Sequence, residues 1–353
     1  MKNPPNILVT GVGGRSVGHQ ILQALLPLGD KYSITVTDAN PFSFGLYEVA
    51  NRYIVPLAND KTYISSIKKI IRQNKIDVIL PGTEVEVRTL SAQEAEISNM
   101  GCSLIASQYG AVNLCSNKWD LYRWLKDHNF DTPTTVLAND WERLTYEFGF
   151  PIVGKPAKNT GGSRSVSLLN NKEEVEKYLA HNHDIVDDLI FQEYVGSGEH
   201  EYTVGVLISK QGNVIDSIVI HRKLEGLSLG EKRVIGDQTY HLSTGYSQGF
   251  VIKNPNIQKK CEKLALDLGI SGPVNIQCRC EGDTVKIFEV HPRFSGTTSI
   301  RAAVGFNEPD VLIRNFLNNE IFTHLDYQYN VAAIRAFKNI IVPCTEMRKV
   351  PKI

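Results

Sequence analysis

The sequence predicts an α/β chain, with a parallel sheet at its N-terminus and a two-lobed α+β body after it. Three observations predict this. Short apolar runs alternate with helical stretches through the N-terminal third, a pattern that builds a parallel sheet with helices on both faces. A strand ending on Lys155 opens a turn rich in glycine and serine. Further on, an alternating hairpin finishes on Glu289 and His291, which lie two positions apart and so on one face of a strand.

Ile7 to Thr10 is the first apolar strand. Gly11-Val12-Gly13-Gly14-Arg15-Ser16-Val17-Gly18 then turns into a helix with Val17, Ile21, Ala24, Leu25 and Leu28 as its buried stripe. Ile34 to Thr37 gives the next strand, ending at Asp38. Residues 62–74 read as a helix with Ile64, Ile67 and Ile71 on one side, and Asp77 to Leu80 as the following strand. Thr83 and Glu86 have the spacing of a capping box, which accounts for both without a ligand. The functional alternative puts Thr83, Glu84 and Arg88 at the lip of an acceptor cleft. A new unit starts near Cys115, carrying Lys118 and a helix from Trp119 to His128. Residues 135–186 complete a small lobe; the larger lobe contains a helix from Ile257 to Leu268, capped by Gly269. The expected divisions are 1–113, 114–186, 187–325 and a C-terminal extension, 326–353, packed on the body.

Three segments carry chemistry. In Phe150 to Val166 (FPIVGKPAKNTGGSRSV), Pro156 stops further pairing, so Lys155 stands at a strand end, from which an ammonium reaches a phosphate as a point charge. Asn159 to Ser165 offers backbone and hydroxyl donors of the kind that cover phosphates, without the Gly-Lys-Ser/Thr of a P-loop. A surface hairpin is the plainer alternative. In Leu189 to Leu207, Gln192 to Val195 reads as a linker between lobes, and Glu201 opens another strand. Such a linker can bond an adenine edge through its backbone, with a carboxylate a few residues on for ribose hydroxyls. In the third segment Val274 to Cys278 alternates like a half-buried strand and Glu281-Gly282-Asp283 supplies a turn. Pairing Gln277 with Glu289 would bring both to one cleft. A carboxylate there suits Mg²⁺, which shares its ligands with substrate phosphates; an ordinary hairpin with a solvated Glu289 is the alternative. Arg293 follows, and Gly296, Thr297 and Thr298 suggest a close-approach loop. His221-Arg222-Lys223 and Lys232-Arg233 bracket Gly226 to Gly230, either as a solvated hairpin or as ligands for an anion.

Taken in order, these segments resemble the ATP-grasp superfamily. The N-terminal portion looks most like its carbamoyl-phosphate-synthetase-like branch, and the resemblance covers about residues 5–320. It implies a Rossmann-like N-terminal parallel sheet followed by a two-lobed ATP-grasp fold. It also implies an ATP-dependent carboxylate–amine ligase that works through an acyl phosphate, with ATP and Mg²⁺ as cofactors and a small-molecule carboxylate and amine as substrates. By that resemblance Lys118 and Lys155 contact ATP phosphates, and the loop carrying Gly161, Gly162 and Ser163 closes over them. Glu193, Tyr194 and Val195 form the adenine-binding linker, and Glu201 holds the ribose. Gln277, Glu289 and His291 occupy the metal positions. Arg293 faces the acyl phosphate or the acceptor's anionic group, and with Lys155 it carries the catalytic role. Two departures stand out. The family usually has Asn where His291 stands, and an imidazole binds Mg²⁺ poorly and Mn²⁺ better, so His291 alternatively lies behind the ligands. The spacing from Glu193 to Glu201 is one residue longer than the family's, which leaves Glu199 competing for the ribose. Only one grasp unit is visible, so carbamoyl phosphate synthesis from glutamine is not expected of this chain alone.

Lys plus Arg and Asp plus Glu number 38 each among 353 residues, so neither nucleic acid nor an anionic membrane surface is expected as a partner. No apolar run approaches the roughly 20 residues of a bilayer span, and Asn6 to Val9 leads straight into a glycine turn rather than out of a signal peptide. Six cysteines without a CxxC pair fit a reducing cytoplasm. A homodimer is compatible with such an enzyme. The rival reading comes from the glycine turn. Gly11 to Gly18 followed by Asp38 imitates a dinucleotide fingerprint, which would make this turn the active cleft of an NAD(P)-dependent oxidoreductase. A third class is an ATP-binding module that keeps the fold without turnover.

Overall fold

The computed structural model describes residues 4–158, 165–196 and 198–353. Five strands, β1 (Asn6–Thr10), β2 (Ser33–Asp38), β3 (Asn51–Ile54), β4 (Val78–Leu80) and β5 (Ser103–Leu104), make an N-terminal sheet of order β3-β2-β1-β4-β5. Every pairing in it is parallel, as the alternation of apolar strands and helices predicts. The glycines around β1 have a packing reason of their own. A Cβ on Gly18 would lie 2.1 Å from the Thr10 carbonyl oxygen, and one on Gly82 would lie 1.9 Å from the same atom. The helix Val17–Leu25 and the loop after β4 therefore close onto β1 only because no side chain intervenes.

Four strands, β6 (Thr135–Leu137), β7 (Ile152–Pro156), β8 (Ser167–Leu169) and β9 (Leu189–Glu193), form an antiparallel sheet of order β6-β9-β7-β8. Pro156 is the last residue of β7, where a residue with no N–H to donate is tolerated. β9 runs further than the sequence suggests. Gln192 pairs with Val153 and Glu193 with Ile152, so these two residues are strand and not linker.

The remaining strands are β10 (Glu201–Ile208), β11 (Val214–Arg222), β12 (Leu229–Ile235), β13 (Gln238–Ser243), β14 (Gly249–Ile252), β15 (Gly272–Glu281), β16 (Thr284–His291) and β17 (Val331–Ala333). β12 and β13 pair only with each other, and the rest make a six-stranded antiparallel sheet of order β16-β15-β10-β11-β14-β17. The helix Pro255–Asp267 lays Ile257, Cys261, Leu264 and Ala265 on one face of this sheet. The other face shares a core with the N-terminal sheet, where Ile7, Val9 and Leu22 join Ile218, Ile220, Phe306 and Leu312. After β17 the chain returns to the N-terminal sheet: the Ile54 amide donates to the Pro351 carbonyl at 2.7 Å, and the Ile353 amide to the Ile54 carbonyl at 3.0 Å. All six cysteines are free. Among the described residues no helix is long and apolar enough to cross a membrane.

Candidate active site

The hairpin of β15 and β16 turns at Gly282, whose φ of 57° is the left-handed conformation that glycine adopts without strain. Asn275 pairs with His291, Ile276 with Val290 and Gln277 with Glu289, and then the register slips so that Cys278 pairs with Ile287. Phe288 is therefore the extra residue of a β-bulge. Ile276, Cys278, Val285, Ile287 and Val290 all belong to the core beneath the helix Pro255–Asp267. Gln277, Glu289 and His291 take the opposite face, as side chains must when their neighbours along the strand point inward. The expected pairing of Gln277 with Glu289 is present, and the bulge is what sends Glu289 away from the core.

Glu289 is a collection point for positive groups. His291 Nε2 lies 3.1 Å from its Oε2, and Lys118 Nζ lies 3.7 Å from its Oε1. Burial acts to raise its pKa, but His291, Lys118 and Lys155 outweigh burial and hold the carboxyl far below the usual range. Lys155, only 6 % exposed, donates to Gln192 Oε1 at 2.9 Å, and its ammonium lies 5.9 Å from the centroid of the Phe288 ring. Gln192 is held in that orientation because its Nε2 donates to Thr135 Oγ1 at 2.8 Å. Burial and repulsion from Lys118 push the Lys155 pKa down to about 8, against the attraction of Glu289.

The N-terminal sheet contributes Glu84, the first residue of the helix Glu84–Ser91. Its Oε2 lies 3.8 Å from His291 Nδ1, so the imidazole stands between two carboxylates. Arg293 follows: its Nη1 donates to the Phe294 carbonyl at 2.8 Å, while its Nε is buried without a hydrogen-bond partner among the described residues. Burial lowers its pKa against the pull of Glu84 and Glu289. A buried polar network not singled out in the sequence braces this loop. Arg301, 1 % exposed, donates to Glu308 Oε1 and to Asn275 Oδ1, both at 2.7 Å. Thr203 Oγ1 donates to the same Asn275 oxygen at 2.8 Å, and Thr298 Oγ1 to Glu308 Oε2 at 2.5 Å. Apart from the crowded Gly205 opposite them, no local pattern marks these residues.

Other expected site residues have different surroundings. Glu201 is 1 % exposed, with Arg222 Nη1 on its Oε1 at 2.6 Å and Arg279 Nε and Nη2 on its Oε2 at 3.0 and 2.9 Å. Glu201 is expected at the ribose; here its carboxylate is held by two guanidinium groups, and turning it away would leave both unpaired. Arg222 is thereby a partner of Glu201. Glu193 accepts from Lys286 at 2.8 Å. The Tyr194 ring lies 4.6 Å from the Arg279 guanidinium, its hydroxyl donates to the His241 carbonyl at 3.0 Å, and the Val195 carbonyl accepts from Arg279 at 3.2 Å. Gly161, Gly162 and Ser163 lie outside the described residues.

Among the described residues no three His, Cys, Asp or Glu side chains group as a metal site. Glu289, held ionised, and Gln277 across the register from it are hard oxygen donors on one face. That partial set fits Mg²⁺, which takes one or two protein carboxylates and completes its shell with phosphates and water. His291 turns its Nε2 toward Glu289, in the manner of a group that orients a ligand.

Residues 186–337 match the family model described as ATP-grasp in the biosynthetic pathway with Ter operon, and residues 7–105 match PylC-like, N-terminal domain. The carbamoyl phosphate synthase large chain of Synechocystis is 22 % identical over 317 residues, which cover 83 % of this chain and 28 % of that protein. The chain thus spans little more than a quarter of such a relative. The biotin carboxylase domain dimer of Hydrogenobacter thermophilus 2-oxoglutarate carboxylase, in complex with MgADP, ADP and bicarbonate, superposes with a TM-score of 0.64 at 16 % identity, over 92 % of this chain and 72 % of that one. The L-amino acid ligase of Bacillus licheniformis gives 0.64 at 17 % identity over 90 % and 75 % of the two chains. The N5-carboxyaminoimidazole synthetase of Staphylococcus aureus complexed with ADP gives 0.63 at 12 % over 93 % and 81 %. With the sheets and these matches in agreement, residues 186–337 carry an ATP-grasp unit that follows a PylC-like N-terminal domain at residues 7–105.

Proposed function

We propose that this chain is an ATP-dependent, ADP-forming ligase that activates a small-molecule carboxylate as an acyl phosphate and joins it to an amine. The observation that carries this reading is the meeting of Glu289, Lys118 and Lys155 at the ends of β16 and β7, with His291 and Glu84 beside them. The similarity to an L-amino acid ligase and to ADP-bound enzymes supports it.

Lys155 and Lys118 offer positive charge to the phosphates, with Gln192 holding the Lys155 ammonium in place. Glu289 and Gln277 would hold Mg²⁺, which when bound neutralises charge on the phosphates. The substrate carboxylate attacks the γ-phosphorus in line, the bond to the ADP oxygen breaks, and an acyl phosphate results. The amine then displaces phosphate and loses a proton to leave an amide. Positioning and charge neutralisation supply most of the acceleration in such a transfer, and in this reading Arg293 adds to the neutralisation.

Thermal stability in the presence of ATP–Mg²⁺, ADP–Mg²⁺, NAD and NADP tests the reading, because a ligand at a hundred times its Kd stabilises the native state by about 2.7 kcal/mol. A rise with adenine nucleotides and none with the dinucleotides is expected. A rise with NAD or NADP alone would overturn the proposal and make the turn from Gly11 to Gly18 the active cleft.

A further inference from the structure

The glycine turn before the helix Val17–Leu25 meets two distant parts of the chain at one aromatic ring. The guanidinium carbon of Arg15 lies 5.3 Å from the centroid of the Tyr246 ring, and that of Arg335 lies 5.2 Å from it. Arg15 comes from the N-terminal sheet, Tyr246 from the segment between β13 and β14, and Arg335 from the segment after β17. Arg335 also donates to the Gly296 carbonyl, three positions beyond Arg293. A Cβ on Gly296 would lie 3.4 Å from the Gly245 carbonyl, so this loop and the one carrying Tyr246 are in contact. The cluster therefore adjoins the loop that leaves the candidate metal strand.

Neither Arg15 nor Arg335 forms an ion pair among the described residues. The Nε of Arg335 is buried without a hydrogen-bond partner among the described residues. Two guanidinium groups border one ring, and an anion held by either gains a charge-assisted hydrogen bond. Guanidinium forks are suited to carboxylate and phosphate oxygens, and the ring offers a flat apolar wall beside them. Ser16, next to Arg15, caps the helix Val17–Leu25, whose N-terminal end adds further positive potential.

We propose that Arg15, Arg335 and Tyr246 form a binding site for an anionic group, carboxylate or phosphate, of the acceptor substrate. That the anion belongs to the acceptor rests on the ligase reading; the site itself rests on the cluster. The acceptor is then a molecule with an amine at its reacting end and an anion at the other.

Calorimetric titration of the full chain with inorganic phosphate and with succinate, in ADP–Mg²⁺ and at ionic strength matched with sodium chloride, tests this. Saturable binding of at least one anion is expected, weakened tenfold or more in Arg15→Gln and in Arg335→Gln, with the affinity for ADP–Mg²⁺ unchanged. Tighter phosphate binding points to a phosphorylated acceptor, and tighter succinate binding to a carboxylate. Arg15 is exposed, so Arg15→Gln carries the test even if Arg335→Gln does not fold. Absence of saturable binding, or binding as tight in Arg15→Gln as in the parent, overturns the site. Anion binding without any ADP–Mg²⁺ binding would instead sink the ligase reading and leave the site standing.

Discussion

Lys155 is a cation kept charged by a narrow margin. Burial brings its pKa down to about 8, so a phosphate arriving beside it would restore what the interior takes away. Lys155→Ala should weaken ADP–Mg²⁺ binding about tenfold, the value of one charge-assisted hydrogen bond of about 1.5 kcal/mol; calorimetry giving an unchanged Kd would remove Lys155 from the phosphate site. Glu289→Ala should abolish Mg²⁺-dependent phosphate release while circular dichroism stays that of the folded chain, and retained turnover would take Glu289 out of the metal role. Glu86 carries the pH dependence. It is 5 % exposed, accepts from Tyr63 at 3.1 Å and Thr83 at 2.9 Å, and burial raises its pKa from 4.5 to about 7. Between those values the folded chain holds a proton that the unfolded chain releases, so stability falls as pH rises, and the cost is complete above about 7. Glu86→Gln should flatten that slope, worth on the order of 3 kcal/mol. Melting curves at about pH 5 and 7.5 that fall equally in both proteins would place the slope elsewhere. At this scale the positions of Lys155 and Glu289 near the ends of β7 and β16 were legible, because each lies in a chemically marked stretch. The pairing of Glu201 was not, since its partners Arg222 and Arg279 lie far along the chain and no local pattern announces a pairing through the core.

Among the elements, the hairpin of β15 and β16 was the most readable, because alternation and the turn at Gly282 fix its register together. β9 was less so. Polar Gln192 and Glu193 read as linker, yet each finds a partner within the small sheet, Gln192 with Lys155 and Glu193 with Lys286, and the strand extends through them. The strand β10 hides its main constraint in an ordinary glycine. A Cβ on Gly205 would lie 2.3 Å from Arg301 Nη1 and 2.6 Å from Glu308 Oε1. Those groups are fully buried and bonded to Asn275 and Thr298, so they have nowhere to retreat. Gly205→Ala should therefore destabilise the protein by about 3 kcal/mol, the cost of disturbing a buried ion pair. An unchanged urea midpoint would mean that the network repacks around a methyl group.

The whole molecule is closed by its C-terminal segment. Val350 is 5 % exposed and the residues after it bond to Ile54 on the edge of the N-terminal sheet, while Ser66 donates to the Ile353 carbonyl at 3.0 Å. Removing residues 350–353 should lower stability by about 2 kcal/mol from the buried valine alone, and a urea transition that stays in place would show this closure to be incidental. The parallel sheet and the antiparallel body were legible from their periodicities; the contact between them was not, because Ile7 and Phe306 carry no mark of their shared core. Length, unlike composition, is fixed along the paired part of β16. A substitution there alters one side chain, but removing Val290 would draw His291 into the inward position that Val290 holds. Descendants of this chain are free to vary the letters of that strand, yet a single-codon deletion of a core residue would take His291 off the candidate metal face without touching His291 itself.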